Sequence, residues 1–302
     1  MSYANRIFLY GPVGALVLFA GAYALFWYVS ANMLAARLDA ANGGDIAPGI
    51  TFAFAEKSVG GFPFRLDVLL SGVTIAQQGT EGEFAWRAER IAFHKLTYRN
   101  DRFIVEADGL QSLSWPGTDG RPRIGHVTPG IARGSAILER GKLSRLDVEF
   151  RNLTGRDASL DAPADRIFVA ANAQAHFLRR DDDTVVFVLT GVGVKIAPAF
   201  GFPLGSEFPE TRIEGNLIQA KSLDALLAGE EGFAAAAERW RNATGVVNVT
   251  AFTLKSDTAP QGATLQGMLT LGPSHRFVGV LETASGAEPA LRLPLQDGAA
   301  PE

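Results

Sequence analysis

Side chains able to do chemistry are few and scattered along this 302-residue chain. The four histidines, His94, His126, His176 and His275, do not fall in any pair at a spacing that would place two ligands on one metal ion. There is no cysteine, which excludes disulfides, thiolate metal sites and thiol nucleophiles. The run Arg179-Arg180-Asp181-Asp182-Asp183 gathers three carboxylates, but it lacks the Gly and the distal Glu of a calcium loop and reads as a solvated turn. Glu81 and Glu83 stand in a Gly-rich loop, where water satisfies them. Gly191-Val192-Gly193 has neither the third Gly nor the following helix of a dinucleotide fingerprint, and no nucleophile elbow, Walker loop or His-Glu-x-x-His occurs. The expectation is a protein that is not an enzyme, with no catalytic residues, no cofactor and no metal.

Binding is a better prospect than catalysis. Net charge is −4 with both signs mixed, so no nucleic-acid surface is expected. Residues 167–171 and 185–189 are apolar on both faces of any strand they form. With Phe52, Phe54, Phe62, Phe64, Phe187 and Phe252 as lining, they suggest a groove for an acyl chain or another apolar ligand. The same two-sided pattern also describes a strand buried inside a sandwich. Both readings stand at this point.

The elements that would position such a groove are mostly strands. After Gly44, short stretches rich in Val, Ile, Leu, Phe and Thr alternate with Gly, Pro, Asn and Asp about every ten residues. Residues 145–151 and 264–271 alternate strictly, which gives each one dry and one wet face. Residues 222–228 and 233–242 carry Leu223, Leu226, Leu227, Phe233, Ala237 and Trp240 at helical spacing, with Gly245 as the stop, and would cover the end of a sheet. Gly61-Phe62-Pro63 recurs as Gly201-Phe202-Pro203, by duplication or by chance; one domain over 45–298 is expected, with 299–302 as a tail.

Ahead of the strands lies an uncharged run at residues 7–29. About 23 helical residues cover roughly 35 Å, enough to cross a hydrocarbon core. Tyr3 and Tyr10 at one end, and Trp27 and Tyr28 at the other, match interfacial belts. The helix should continue through a juxtamembrane segment, 30–44, and end at Asn42-Gly43-Gly44. Arg6 and the amino terminus precede the span, whereas Arg37 is offset by Asp39, so residues 1–6 are expected in the cytoplasm and the body beyond the inner membrane, in the periplasm. The other reading is a cleaved signal, against which stand the length of the run and its single basic residue.

Gly61-Phe62-Pro63-Phe64-Arg65, following an N-terminal anchor, resembles the bacterial domain-of-unknown-function family 2125 of membrane-anchored envelope proteins. Gly245-Val246-Val247-Asn248-Val249, then 265–271 and Leu293-Pro294-Leu295-Gln296-Asp297-Gly298, fit the same family along nearly the whole chain. More remotely the chain is similar to AsmA-like proteins. The resemblance implies a β-rich extracytoplasmic body, a long curved sheet and a part in lipid handling, and no catalytic residues. The expected fold is mainly β: a transmembrane helix, then an elongated, curved, mostly antiparallel sheet with a short helical insertion. The expected partners are the bilayer through 7–29 and a lipid in the groove. The alternative is a non-catalytic assembly factor that holds another envelope protein.

Overall fold

The computed structural model describes residues 3–79, 82–99, 101–116, 122–158, 166–180, 183–197, 203–256, 262–273, 275–284 and 290–293. Glu81, Asp181, Asp182, Gly201, Phe202 and residues 294–302 lie outside them. Helix α1 (Tyr3–Ala41) runs 39 residues, roughly 58 Å. From Pro12 onward it is long and apolar enough to cross a membrane. It ends where expected: the Asn42 amide bonds the Leu38 carbonyl at 3.0 Å, and Gly43 takes the left-handed conformation (φ 79°) that stops a helix.

Everything that follows is one antiparallel sheet of sixteen strands. One edge is split. β1 (Gly44–Ala47) and β2 (Ile50–Ala53) occupy its upper half and β3 (Glu56–Gly60) its lower half, with β2 and β3 both paired to β4 (Arg65–Gly79). β5 (Gly82–Leu96) and β6 (Arg102–Pro116) come next. β7 (Pro122–Thr128) and β8 (Ile131–Glu139) again share one position, between β6 and β9 (Lys142–Asp157). The sheet then proceeds in sequence order through β10 (Arg166–Arg179), β11 (Thr184–Ile196), β12 (Glu207–Ile218), β13 (Val246–Leu254), β14 (Ala263–Leu271), β15 (Phe277–Glu282) and β16 (Ala290–Leu293). The expected strands at 145–151, 167–171, 185–189 and 264–271 all lie inside it.

A crease crosses the sheet from β2/β3 to β12. The break between β2 and β3 at Ala55 sits against Gly72 of β4, which has φ 61°. On β5 and β6 the register shifts at Glu89 and Gly109. The break between β7 and β8 falls at Pro129-Gly130 and faces Asn152 of β9, also in the left-handed region at φ 51°. Gly193 of β11, φ 61°, continues the line to Pro209 of β12, a position that tolerates a residue without an amide proton. Side chains change phase there, so each strand presents one alternation above the crease and another below it.

Two hydrophobic cores form, one at each end of the sheet. The first gathers Phe54, Val68, Leu70, Val73, Ala88 and Ile91 under Leu34 and Leu38 of α1. The second gathers Leu204, Phe208, Val249, Phe252, Leu254, Leu265, Leu269, Leu281 and Leu291 from strands β12–β16 and the segment before β12. The chain exposes 18822 Å², against about 12,300 Å² for a compact protein of 32.2 kDa. The projecting helix and the uncovered middle of the sheet carry the excess.

The helical insertion comprises a 3-10 turn (Ala220–Leu223), α2 (Asp224–Leu227) and α3 (Phe233–Asn242). Its buried side follows Ala236 and Trp240; Phe233 and Leu227, expected on the inner face, are 55% exposed. Trp240 decides the orientation. Its indole donates to the Ile218 carbonyl at 2.8 Å and meets Phe277 edge-on, with ring centroids 6.3 Å apart. Gly245 has a second role besides following the helix: a Cβ there would come within 2.2 Å of the Trp240 ring.

Helix α1 is held by the sheet from Tyr23 to Asn42. Tyr23, Trp27, Ala31, Leu34, Leu38 and Asn42 form one stripe, three or four residues apart, whereas residues 12–22 are exposed. Trp27 donates to the Arg65 carbonyl at 2.7 Å, Lys57 to the Ala35 carbonyl at 2.6 Å, and Lys57 pairs with Asp39 at 2.5 Å. Asn42 closes a two-way amide clasp on the Phe54 backbone, at 2.9 and 3.1 Å. Asn42→Ala removes both bonds and leaves two partly buried backbone groups unmet, so denaturant unfolding of the detergent-solubilised protein should show a loss of about 1–3 kcal/mol.

Candidate functional site

Below the crease, strand alternation sorts side chains onto two faces, and antiparallel pairing aligns them into rungs across the sheet. One rung reads Val59, Val68, Phe93, Val105, Gly134, Val148, Ala175, Leu189, Ile213, Phe252 and Leu265, over eleven strands without a polar side chain. The next carries Phe103, Ala136, Leu146, Phe177, Phe187 and Gly215 through the middle of the sheet. Both ends of these rungs are buried in the two cores. The middle is not: Val105, Val148, Phe150, Ala175, Phe177 and Leu189 are all half-buried, and among the large residues there only Phe187 is buried. The result is an apolar trough open along its centre.

The opposite face is polar and internally matched. Arg133 bonds Glu106 at 2.7 Å, Arg151 bonds Glu149 at 2.6 Å, and His176 Nδ1 lies 2.7 Å from Asp147. Burial pushes the Asp147 carboxyl up, but hydrogen bonds from Arg145 and His176 outweigh it and hold the group below its ordinary range. His94 is paired in the same way, 2.8 Å from Asp67. These two histidines therefore belong to a solvated ladder of charges. His126, with Asn152, Thr154 and Arg156, lines a cavity of about 470 Å³ on this polar face, along the crease at Pro129-Gly130. Among the described residues no three His, Asp or Glu side chains could hold a metal.

Helix α2 covers one lower corner of the trough and encloses a cavity of about 210 Å³. Leu146, Phe177, Val185 and Leu217 form its floor, and Leu223, Leu226 and Leu227 its roof. Asp224 fastens that roof. It accepts from Arg179 at 2.6 Å and from Lys142 at 2.9 Å, bridging three elements. Burial raises its pKa, but the two cations together outweigh that and hold it low. The Arg179 Nε, buried beside the apolar floor, has no hydrogen-bond partner. Neither Asp224 nor Arg179 stood out in the sequence, because the signal is their meeting across 45 residues of chain.

The six phenylalanines expected as lining are not brought together. Phe54 is buried in the first core, with Phe52 packed against it at a centroid distance of 5.8 Å. Phe252 is buried in the second core. Phe62 and Phe64 are 57% and 68% exposed at a turn beside α1, within the motif Gly61-Phe62-Pro63-Phe64-Arg65. Phe187 alone sits in the open middle, 6.4 Å from Phe177, and its ring rests on Gly215, where a Cβ would come within 2.6 Å. Strand period places Phe252 and Phe187 on the inner face, as expected, but the end of the sheet closes over the former.

A family model described as "Uncharacterized protein conserved in bacteria (DUF2125)" matches residues 27–302. No curated protein and no solved structure matches the chain, and nothing among these comparisons bears on the AsmA-like likeness.

The clamp on α2 has a defined pH dependence. A carboxylate held below its ordinary pKa contributes stability that is present above the unfolded value and is lost as pH falls through the folded one. Hydrogen exchange of residues 220–227 should therefore stay slow from neutral pH down to roughly 4 and accelerate below it. In Asp224→Asn it should be fast at every pH.

Proposed function

The chain belongs to the bacterial DUF2125 family, and we propose that it is a single-pass inner-membrane protein whose periplasmic sheet cradles an acyl chain, or an apolar ligand of similar girth, on its open face. The observation that carries this reading is the eleven-strand apolar rung, covered at both ends and half-exposed between. An apolar surface of this extent left to water is unfavourable, at about 25 cal/mol per Å². The uncovered stretch from Val105 to Leu189 crosses five strands, about 19 Å at 4.8 Å per strand, which suits an extended hydrocarbon tail. Nothing charged lies along that rung, so recognition there would be by shape and not by headgroup. The orientation rests on the positive charge ahead of the span, and the stripe of α1 held by the sheet favours a permanent anchor over a signal that is removed.

Two measurements test this reading. A photoreactive phenylalanine analogue placed at Val148 should crosslink to lipid in intact cells, whereas the same group at Met268, 66% exposed on the polar face, should not. Equal or absent lipid adducts at the two sites would overturn the trough. Protease added outside spheroplasts should digest the β domain; survival of the domain would overturn the orientation.

A further inference from the structure

Two turns at the lower end of the sheet are tied to each other and to α1. The amide and hydroxyl of Thr97, after β5, both donate to the Phe64 carbonyl, at 3.3 and 3.2 Å. The Tyr23 hydroxyl donates to the Pro63 carbonyl at 2.7 Å and lies 2.7 Å from the Thr97 hydroxyl. Trp27 meets Phe62 edge-on at 5.4 Å and donates to the Arg65 carbonyl. This network holds three large rings outward: Phe62, Phe64 and Tyr98 are 57%, 68% and 71% exposed. No other described part of the protein covers them.

Their depth can be read from the helix. Crossing a hydrocarbon core of about 30 Å takes about 20 helical residues, so a span that begins at Ile7 ends near Phe26. Tyr23 and Trp27 lie within a turn of that point, and the two turns bonded to them lie at the same level. Aromatic side chains with one apolar and one polar end favour this zone of a bilayer. Arg65 and Arg102, each more than half exposed at the same end of the sheet, are basic groups suited to lipid phosphates.

We propose that the turns at 61–64 and 97–99 form a second membrane contact, in which Phe62, Phe64 and Tyr98 seat among the headgroups and upper acyl carbons of the leaflet from which α1 emerges. The inference rests on reading α1 as a membrane span. Seated in this way, the lower end of the sheet is pressed to the bilayer, and an acyl chain passing from the leaflet to the trough need not cross open water.

Because the chain has no cysteine, a single nitroxide can be placed at Leu18→Cys, Phe64→Cys or Met268→Cys in the full chain reconstituted in phosphatidylcholine–phosphatidylglycerol vesicles. Collision with oxygen reports lipid, and collision with a water-soluble nickel chelate reports solvent. The expected result is an oxygen-to-nickel ratio at positions 18 and 64 severalfold above that at 268. If position 18 reads as lipid while 64 matches 268, the second contact is wrong and the anchor stands. If position 18 itself reads as solvent, the anchor is wrong and this inference falls with it.

Discussion

A strand shows alternate residues to opposite sides, so a one-layer sheet with one apolar side must find a cover for that side. This requirement governs most of the molecule. At the first end the cover is the last turns of α1, laid over Val68, Leu70 and Ile91. At the other end the strands bury one another's leucines, helped by Leu204. Over part of the lower margin it is α2. Between these the rungs continue unchanged, yet no layer of protein lies over them, and the trough is the remainder of an incomplete enclosure.

The polar side meets the complementary requirement. Each strand that points Val or Phe inward points Arg, Glu, Asp or His outward, and neighbouring strands carry opposite signs at matching heights, as with Glu106 and Arg133. Exposed pairs of this kind add little stability singly. Their effect is on register: a slip of one residue would bring the charges onto the apolar side and the valines into water. That constraint lets so many strands stay aligned with so little buried core in the middle.

Much of this was legible in the sequence. Period-two alternation marked β9 and β14, turn residues separated β10 from β11, and Asn42-Gly43-Gly44 marked the end of α1. The two-sided apolar character of 167–171 and 185–189 left groove and sandwich open, because that choice depends on what lies over a face, and a single strand carries no record of it. The phenylalanines misled for the same reason: Phe54 and Phe187 both point inward, but only one has a helix above it. Asp224 and Arg179 were not legible at all, since one lies on an exposed helical turn and the other at a strand end, and only folding brings them within 2.6 Å. Burial at Ala236 and not Phe233 follows from Trp240, whose bond to Ile218 fixes how α3 is rotated.

The crease through Gly72, Asn152 and Gly193 has a mechanical side. Where successive strands lose their regular ladder along a common line, bending stiffness across that line is lowest, and the two blades can tilt about it while every paired rung on either side stays intact. Small rotations there alter the bore of the channel without unmaking a bond. One sequence can in this way embrace cargo of more than one thickness.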